Sequence, residues 1–301
     1  MKKIVGTRGS MLALTQTKWV ISELKKHHPN IEFEIKVIKT TGDRVQNQPL
    51  DKIGEKGLFT KEIEEHLLSR EIDLAVHSMK DMPSVVPEGL KFSYVPKRED
   101  ARDILVLKEG YTSLEDLPYG AKIGTGSKRR KYQLLSYRPD LKIVPIRGNI
   151  DTRIRKLKEE GLEGIVLAAA GVHRLGMNQV IGCYLPVEIM IPAAAQGALA
   201  LEVRANDVQT EELLKPLHDG STEIQIKAER AFLSAINGGC HMPVGAYCTI
   251  HEEHIILRGL FGDEEGKRML IKSIEGQLED AEQIGCELAN RMLKELKGEK
   301  R

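Results

Sequence analysis

Residues 72–83 read Ile-Asp-Leu-Ala-Val-His-Ser-Met-Lys-Asp-Met-Pro. Ile72 to His77 is a short apolar run of strand type, and it stops in the polar loop Ser78-Met79-Lys80-Asp81-Met82-Pro83. Just upstream, Thr60 to Ser69 has helical spacing with Ile63 and Leu67 facing inward. Helix, buried strand and polar loop in succession form the repeating unit of an open α/β sheet. The same unit recurs on both sides. Lys2 to Gly6 reads as a strand, and a helix follows in which Ala13, Thr17, Val20 and Leu24 recur at steps of three and four. Ile31, Phe33, Ile35 and Val37 alternate with polar residues, the period of a half-buried strand. The polar stretch from Thr41 to Gly57 is expected to be a loop, with 47–57 as a lid.

A second alternation starts near Ile104. Strands are expected at Ile104–Leu107, Lys122–Gly124, Lys142–Pro145 and Gly164–Ala169, with helices from Lys128 and from Asn149 to Leu157. Two such sheets in tandem predict a cleft, with ligands at the carboxyl ends of the strands. From about Ser221 the pattern changes. A helix over Glu223–Ile236 runs into Asn237-Gly238-Gly239, and strands are expected at 247–250, 255–260 and 269–274 before a closing helix. This predicts a small α/β domain with an antiparallel sheet.

The 301 residues carry 45 Lys and Arg against 44 Asp and Glu, a net charge of +1, which excludes a globally basic coat and an acidic disordered chain. Aromatics at 4% speak against a base-stacking platform. No apolar run is long enough for a membrane span, and the first residues turn polar after Ile4 and Val5, so a cytoplasmic location without membrane partners is expected. The cysteines, Cys183, Cys240, Cys248 and Cys286, form no CxxC pair, so no metal site is expected.

Charge is unevenly placed. Residues 122–158 hold 12 Lys or Arg and 2 Asp or Glu. Ser127 precedes a helix that opens Lys128-Arg129-Arg130, Arg147 and Arg153 flank the next junction, and Arg174 follows Gly171-Val172-His173. Arginines and free helix N–H groups at such junctions suit carboxylates or phosphates. A solvated basic face or a nucleic-acid patch is the competing reading. Arg8 and Ser10 can donate to an anion at the first helix start. Asp81, beside Lys80 and just past a buried strand, can act as a general acid or stabilise a developing cation. A simple turn aspartate before Pro83 fits that local pattern equally. Cys240, after two glycines, sits where a bulky group can approach the backbone and where a thiolate can be an attachment point.

Taken together, these segments resemble hydroxymethylbilane synthase, also called porphobilinogen deaminase. The matching pieces are GTRGSMLALTQ from Gly6, TTGDR from Thr40, GEKGLFTKEIE from Gly54, DLAVHSMKDMP from Asp73 and GTGSKRR from Gly124. They continue with RPDLKIVPIRGNIDTRIRKL from Arg138, LAAAGVHRLG from Leu167, PAAAQGALALEVR from Pro192 and ERAFLSAINGGCHMPVGAYC from Glu229. The resemblance implies a monomer that joins four porphobilinogen molecules into a linear tetrapyrrole and releases four ammonia. It implies a dipyrromethane cofactor on a thioether to Cys240. It assigns Asp81 and Lys80 to catalysis and to the cofactor, and Ser127, Arg129, Arg130, Arg147, Gly171 and Gly197 to the cofactor. Arg8, Ser10, Arg147, Arg153 and Arg174 go to the substrate. The implied fold has two lobes like those of periplasmic binding proteins, 1–98 with 197–216 and 103–192, and a third domain, 220–301, that carries the cysteine. Departures from the usual family pattern are Gly126 and Lys128 beside Ser127, His241-Met242 after Cys240, and Leu162-Glu163-Gly164. The rival reading of the same two lobes is a non-catalytic protein that binds an anionic ligand.

Overall fold

The computed structural model describes residues 1–44, 60–236 and 242–298. In chain order the elements begin with β1 (Lys2–Thr7), α1 (Met11–His27), β2 (Glu32–Val37), α2 (Thr41–Arg44), α3 (Lys61–Leu68), β3 (Leu74–Ser78) and β4 (Leu90–Phe92). Then come β5 (Asp103–Leu107), β6 (Lys122–Gly124), α4 (Lys128–Tyr137), β7 (Lys142–Val144), α5 (Ile150–Glu159), β8 (Gly164–Ala168), α6 (Ala169–Arg174) and β9 (Cys183–Leu185). The last are β10 (Leu199–Arg204), α7 (Val208–Leu214), α8 (Gly220–Ile236), β11 (Val244–His251), β12 (His254–Gly262), β13 (Met269–Gln277) and α9 (Ala281–Lys297). The chain separates into two compact units, Met1–Glu99 with Gly197–Glu223, and Asp100–Gln196 with Ile224–Arg301.

The first unit is built on a sheet of order β2-β1-β3-β10-β4. β1 runs parallel to β2 and to β3, while β10 returns antiparallel with Leu199 opposite Ser78 and Glu202 opposite Ala75. Period two sends Leu74 and Val76 to one face, where they meet Val20 and Leu24 of α1. Ala75 faces the other way, onto Ile63 and Leu67 of α3. The start of α1 is capped by Ser10, whose hydroxyl accepts from the Ala13 N–H, and its last turn carries Lys25, Lys26 and His27, matching the helix dipole.

The second unit repeats the plan, with order β7-β6-β8-β5-β9. β6 is parallel to β7 and β8, and β5 is antiparallel to β8 and β9. Leu105, Ile123 and Val166 pack on Leu134 of α4, whereas Ile104, Ile165 and Leu167 pack on Leu157 and Val172 on the opposite face. The same unit contains the antiparallel sheet β11-β12-β13. Its core joins Phe232 of α8 and Leu288 and Met292 of α9 to Cys248, Ile255 and Leu257. At Gly285 the two helices come so close that a Cβ would stand 2.3 Å from the Ala228 carbonyl oxygen.

The expected α/β architecture is present, with helices on both faces of two sheets and a separate three-stranded antiparallel sheet. Each large sheet is mixed rather than wholly parallel, because its fourth strand comes from the segments where the chain passes between units. β4, β9 and β10 are strands without a sequence expectation. The first two are three residues long, and β10 is buried at all six positions, Glu202 and Arg204 included. The polar stretch after Thr40 opens with one helical turn, α2; the lid expected at 47–57 lies outside the described residues. Among the described residues no helix is long and apolar enough to cross a membrane.

Candidate active site

In the first unit, β3 leads straight into a single 3-10 turn, Met79–Asp81. Met79 anchors the turn: its side chain is buried and its N–H donates to the Ala198 carbonyl at 3.0 Å. Lys80 is left half-buried and Asp81 exposed. Asp81 lies in an open depression that Arg8, Ser10, Gln16, Thr60, His77 and Ser78 help to line. Three residues singled out from sequence (Arg8, Ser10 and Asp81) are therefore brought together, although 73 positions separate the first from the last.

Arg8 does not enter this depression alone. Its Nε and Nη2 donate to Asp43 of α2, at 3.2 and 2.5 Å to Oδ1. Burial would raise the Asp43 carboxyl, but hydrogen bonds from Arg8 and Thr40 outweigh it and hold the group below the usual carboxylate range. A paired guanidinium is fixed in direction, and an incoming carboxylate meets it already oriented. Ser10 caps α1 through its acceptor lone pair, which leaves its O–H as a donor. Gln16 and Ser78 exchange hydrogen bonds at 3.1 and 3.3 Å. Gln16, Thr60, His77 and Ser78 line the depression without an expectation from sequence. Gln16 carried a usable signal: it lies three residues after Ala13 and four before Val20, on the inward face of α1, where a polar side chain is out of place unless it is used.

In the second unit the expected residues again follow the parallel strands. Ser127 caps α4, accepting from the Arg130 N–H. Gly126 lets the chain pass close to its neighbour, since a Cβ there would stand 2.9 Å from the Ile146 carbonyl oxygen. Glycine at this departure from the family pattern thus has a packing reason. Arg129 and Arg130 are buried and turn onto Asp103, the first residue of β5. Arg129 Nη1 donates to Asp103 Oδ2 at 2.8 Å and to the Ile191 carbonyl at 2.6 Å. Arg130 Nη2 donates to Asp103 Oδ1 at 2.7 Å and Nη1 to the Val166 carbonyl at 2.9 Å. Burial disfavours the Asp103 carboxylate, but the two guanidinium charges outweigh it and hold its pKa far below the usual range. Arg130 Nε at 3.2 Å and Gln196 Nε2 at 2.9 Å also donate to Asp103 Oδ1.

Arg147 is half-buried just past β7, and Asn149 behind it caps α5 by accepting from the Thr152 N–H. Arg153 Nε donates to the Gly148 carbonyl at 2.7 Å. Gly171 is buried inside α6, and Arg174 closes that helix. Gly197 belongs to the first unit. Its φ of +92° and a would-be Cβ contact of 2.3 Å with the Glu99 carbonyl oxygen require glycine where the chain re-enters the first sheet. Cys240 and the glycines before it lie outside the described residues.

The family model "Porphobilinogen deaminase, dipyromethane cofactor binding domain" matches residues 4–212, and "Porphobilinogen deaminase, C-terminal domain" matches 224–294. A porphobilinogen deaminase of Clostridioides difficile is 60% identical over 295 residues, covering 98% of both chains. One of Clostridium novyi is 58% identical over 299 residues, covering 98% of this chain and all of the other. Among solved structures, the probable amino-acid ABC transporter extracellular-binding protein ytmK from Bacillus subtilis overlaps 72% of this chain and 90% of its own, at 15% identity and a TM-score of 0.43.

Proposed function

Because the chain belongs to the porphobilinogen deaminase family, we propose that the depression around Asp81 is where porphobilinogen loses its ammonia, and that Cys240 carries the dipyrromethane. The protein is a transferase acting on porphobilinogen, in tetrapyrrole biosynthesis. The observation that carries the site assignment is the meeting of Asp81 with Arg8 and Ser10 beyond the ends of parallel strands.

The donor set suits a chain of pyrroles. Each pyrrole bears an acetate and a propionate, which call for guanidinium and hydroxyl donors, and a ring N–H, which calls for a carboxylate. Arg8, Ser10, Gln16 and Ser78 supply the first kind around Asp81, the second kind. Ser127, Arg129, Arg130, Arg147 and Gly171 of the second unit, with Lys80, Asp81 and Gly197 of the first, are assigned to the cofactor, and Arg147, Arg153 and Arg174 to the carboxylates of the substrate. Asp103 holds the Arg129 and Arg130 guanidinia in fixed directions. Bound through Cys240, the dipyrromethane supplies the end onto which new pyrroles are added. We read the chain as a cytoplasmic monomer with lobes 1–98 plus 197–216 and 103–192, and a third domain over 220–301.

Asp81 then has a definite task. Departure of ammonia from porphobilinogen leaves a cation spread over the pyrrole ring. A carboxylate fixed near the ring N–H stabilises that cation more than the neutral ring before it, which lowers the barrier rather than merely improving binding. The test is Asp81→Asn. Turnover of porphobilinogen should fall about 100-fold or more, with substrate affinity little changed. Equal losses in both would assign Asp81 to binding alone.

A further inference from the structure

The face of the first sheet that α3 covers is apolar at one end and polar at the other. Ile63, Leu67, Ile72 and Ala75 fill the apolar end. At the polar end Glu64 of α3, His77 of β3 and Glu202 of β10 are all buried, none more than 7% exposed. His77 stands opposite Ala200 and Glu202 opposite Ala75, so both side chains rise on one face, and His77 Nε2 lies 3.1 Å from Glu202 Oε2. The remaining oxygen of Glu202 and Oε1 of Glu64 are buried without a hydrogen-bond partner.

Two ionised carboxylates around one imidazole leave this cluster short of donors. A buried carboxylate oxygen without a donor is costly, and like charges in a dry interior repel. One proton on a carboxyl removes both faults, because it cancels a charge and provides an O–H. Burial, reinforced by the Glu202 charge and opposed by the Thr60 hydroxyl and by His77, pushes Glu64 above the usual carboxylate range. Other charged groups about the cluster are engaged or face away. Glu65 is on the exposed side of α3, Glu62 accepts from Thr41, and Arg8 is on Asp43. Arg204, at the far end of β10, is on Asp73 and Asp207, and Lys91 of β4 is on Glu211. His77 and Thr60 also line the depression that holds Asp81, so the cluster borders that site from behind.

We propose that Glu64, His77 and Glu202 share a buried proton and exchange it with the Asp81 depression through His77. The exchange role rests on the function proposed above. Each coupling frees one proton: the C–N electron pair leaves with ammonia, the hydrogen on the coupled ring carbon leaves without its pair, and ammonia ends as ammonium. The cluster holds that proton in transit and acts as a positioning and proton-storing unit for the site.

Infrared spectroscopy of the full chain at neutral pH tests the shared proton without any turnover. The wild type should show the carbonyl band of a neutral carboxylic acid, shifted in D2O, and Glu64→Gln should remove it. Absence of the band in the wild type, or its survival in Glu64→Gln, Glu202→Gln and His77→Gln alike, overturns the shared proton. If Glu64→Gln does not fold, the D2O shift in the wild type and in His77→Gln decides. The pH profile of kcat tests the exchange: His77→Gln should lower kcat at least roughly tenfold and change the shape of the profile, with KM nearly unchanged. An unchanged profile overturns the exchange and leaves a structural cluster. A band without any porphobilinogen turnover would sink the assigned function while the shared proton stands.

Discussion

Asp103→Asn is the substitution whose effect the geometry determines most closely. Asp103 is fully buried and accepts from Arg129, from two nitrogens of Arg130, and from Gln196. The change keeps size and shape but removes the charge, and it turns one acceptor into an amide that faces a guanidinium. Two buried arginines are then left to repel each other with no counter-ion between them. Breaking a buried ion pair by altering one partner costs about 3–5 kcal/mol. Summing the separate hydrogen bonds would give more, but bonds sharing one carboxylate are not additive. Because β5 pairs with β8 and β9, the loss should appear as faster amide exchange across those strands. At about 1.4 kcal/mol per decade, this is roughly two to four orders of magnitude. The pH dependence has a fixed sign. A carboxyl held below its unfolded value contributes stability that is present above the unfolded pKa of about 4 and is lost as pH falls through the folded one. The difference between wild type and variant should therefore be full at neutral pH and shrink in strong acid. A change of less than tenfold in exchange at neutral pH would refute the reasoning.

Other substitutions probe separate joints. Gly285→Ala places a Cβ 2.3 Å from the Ala228 carbonyl oxygen and should lower stability by about 1–3 kcal/mol in urea unfolding; a neutral result would mean that α8 and α9 separate freely. Ser127→Ala removes the cap of α4 and should cost about 1 kcal/mol, read from the exchange of the Arg130 amide; wild-type protection would exclude the cap as a contributor.

The parts of this fold that were legible in sequence are those with a strong local period. Val20 and Leu24 at helical spacing and Phe33 and Ile35 at strand spacing identify their elements unaided. β10 has a strand period too, with Leu199, Leu201 and Val203 alternating with Ala200, Glu202 and Arg204, but its burial on both faces was not legible, because its partner β3 lies over a hundred residues upstream. The basic stretch 122–158 gives a second lesson. Counted alone it resembles a patch for an anion. In the fold, Arg129 and Arg130 spend much of their charge on Asp103, and Lys128 reaches Glu264 at 3.0 Å, both acids lying outside the stretch. Charge counted along a chain omits the counter-ions that folding brings in. Asp81 was legible as a candidate through its place after a buried strand. Glu64 and Glu202 were not, since nothing local distinguishes a buried glutamate from a surface one.

The central claim is that this chain works on a dipyrromethane held by one cysteine. Intact-mass measurement of protein produced with porphobilinogen available, followed by peptide mapping, tests it most directly. The wild type should exceed the chain mass by two linked pyrrole units, with the added mass on the peptide containing Cys240, and Cys240→Ser should show the bare chain mass and no turnover. An unmodified wild type that still converts porphobilinogen, or an adduct that persists in Cys240→Ser, would contradict the account.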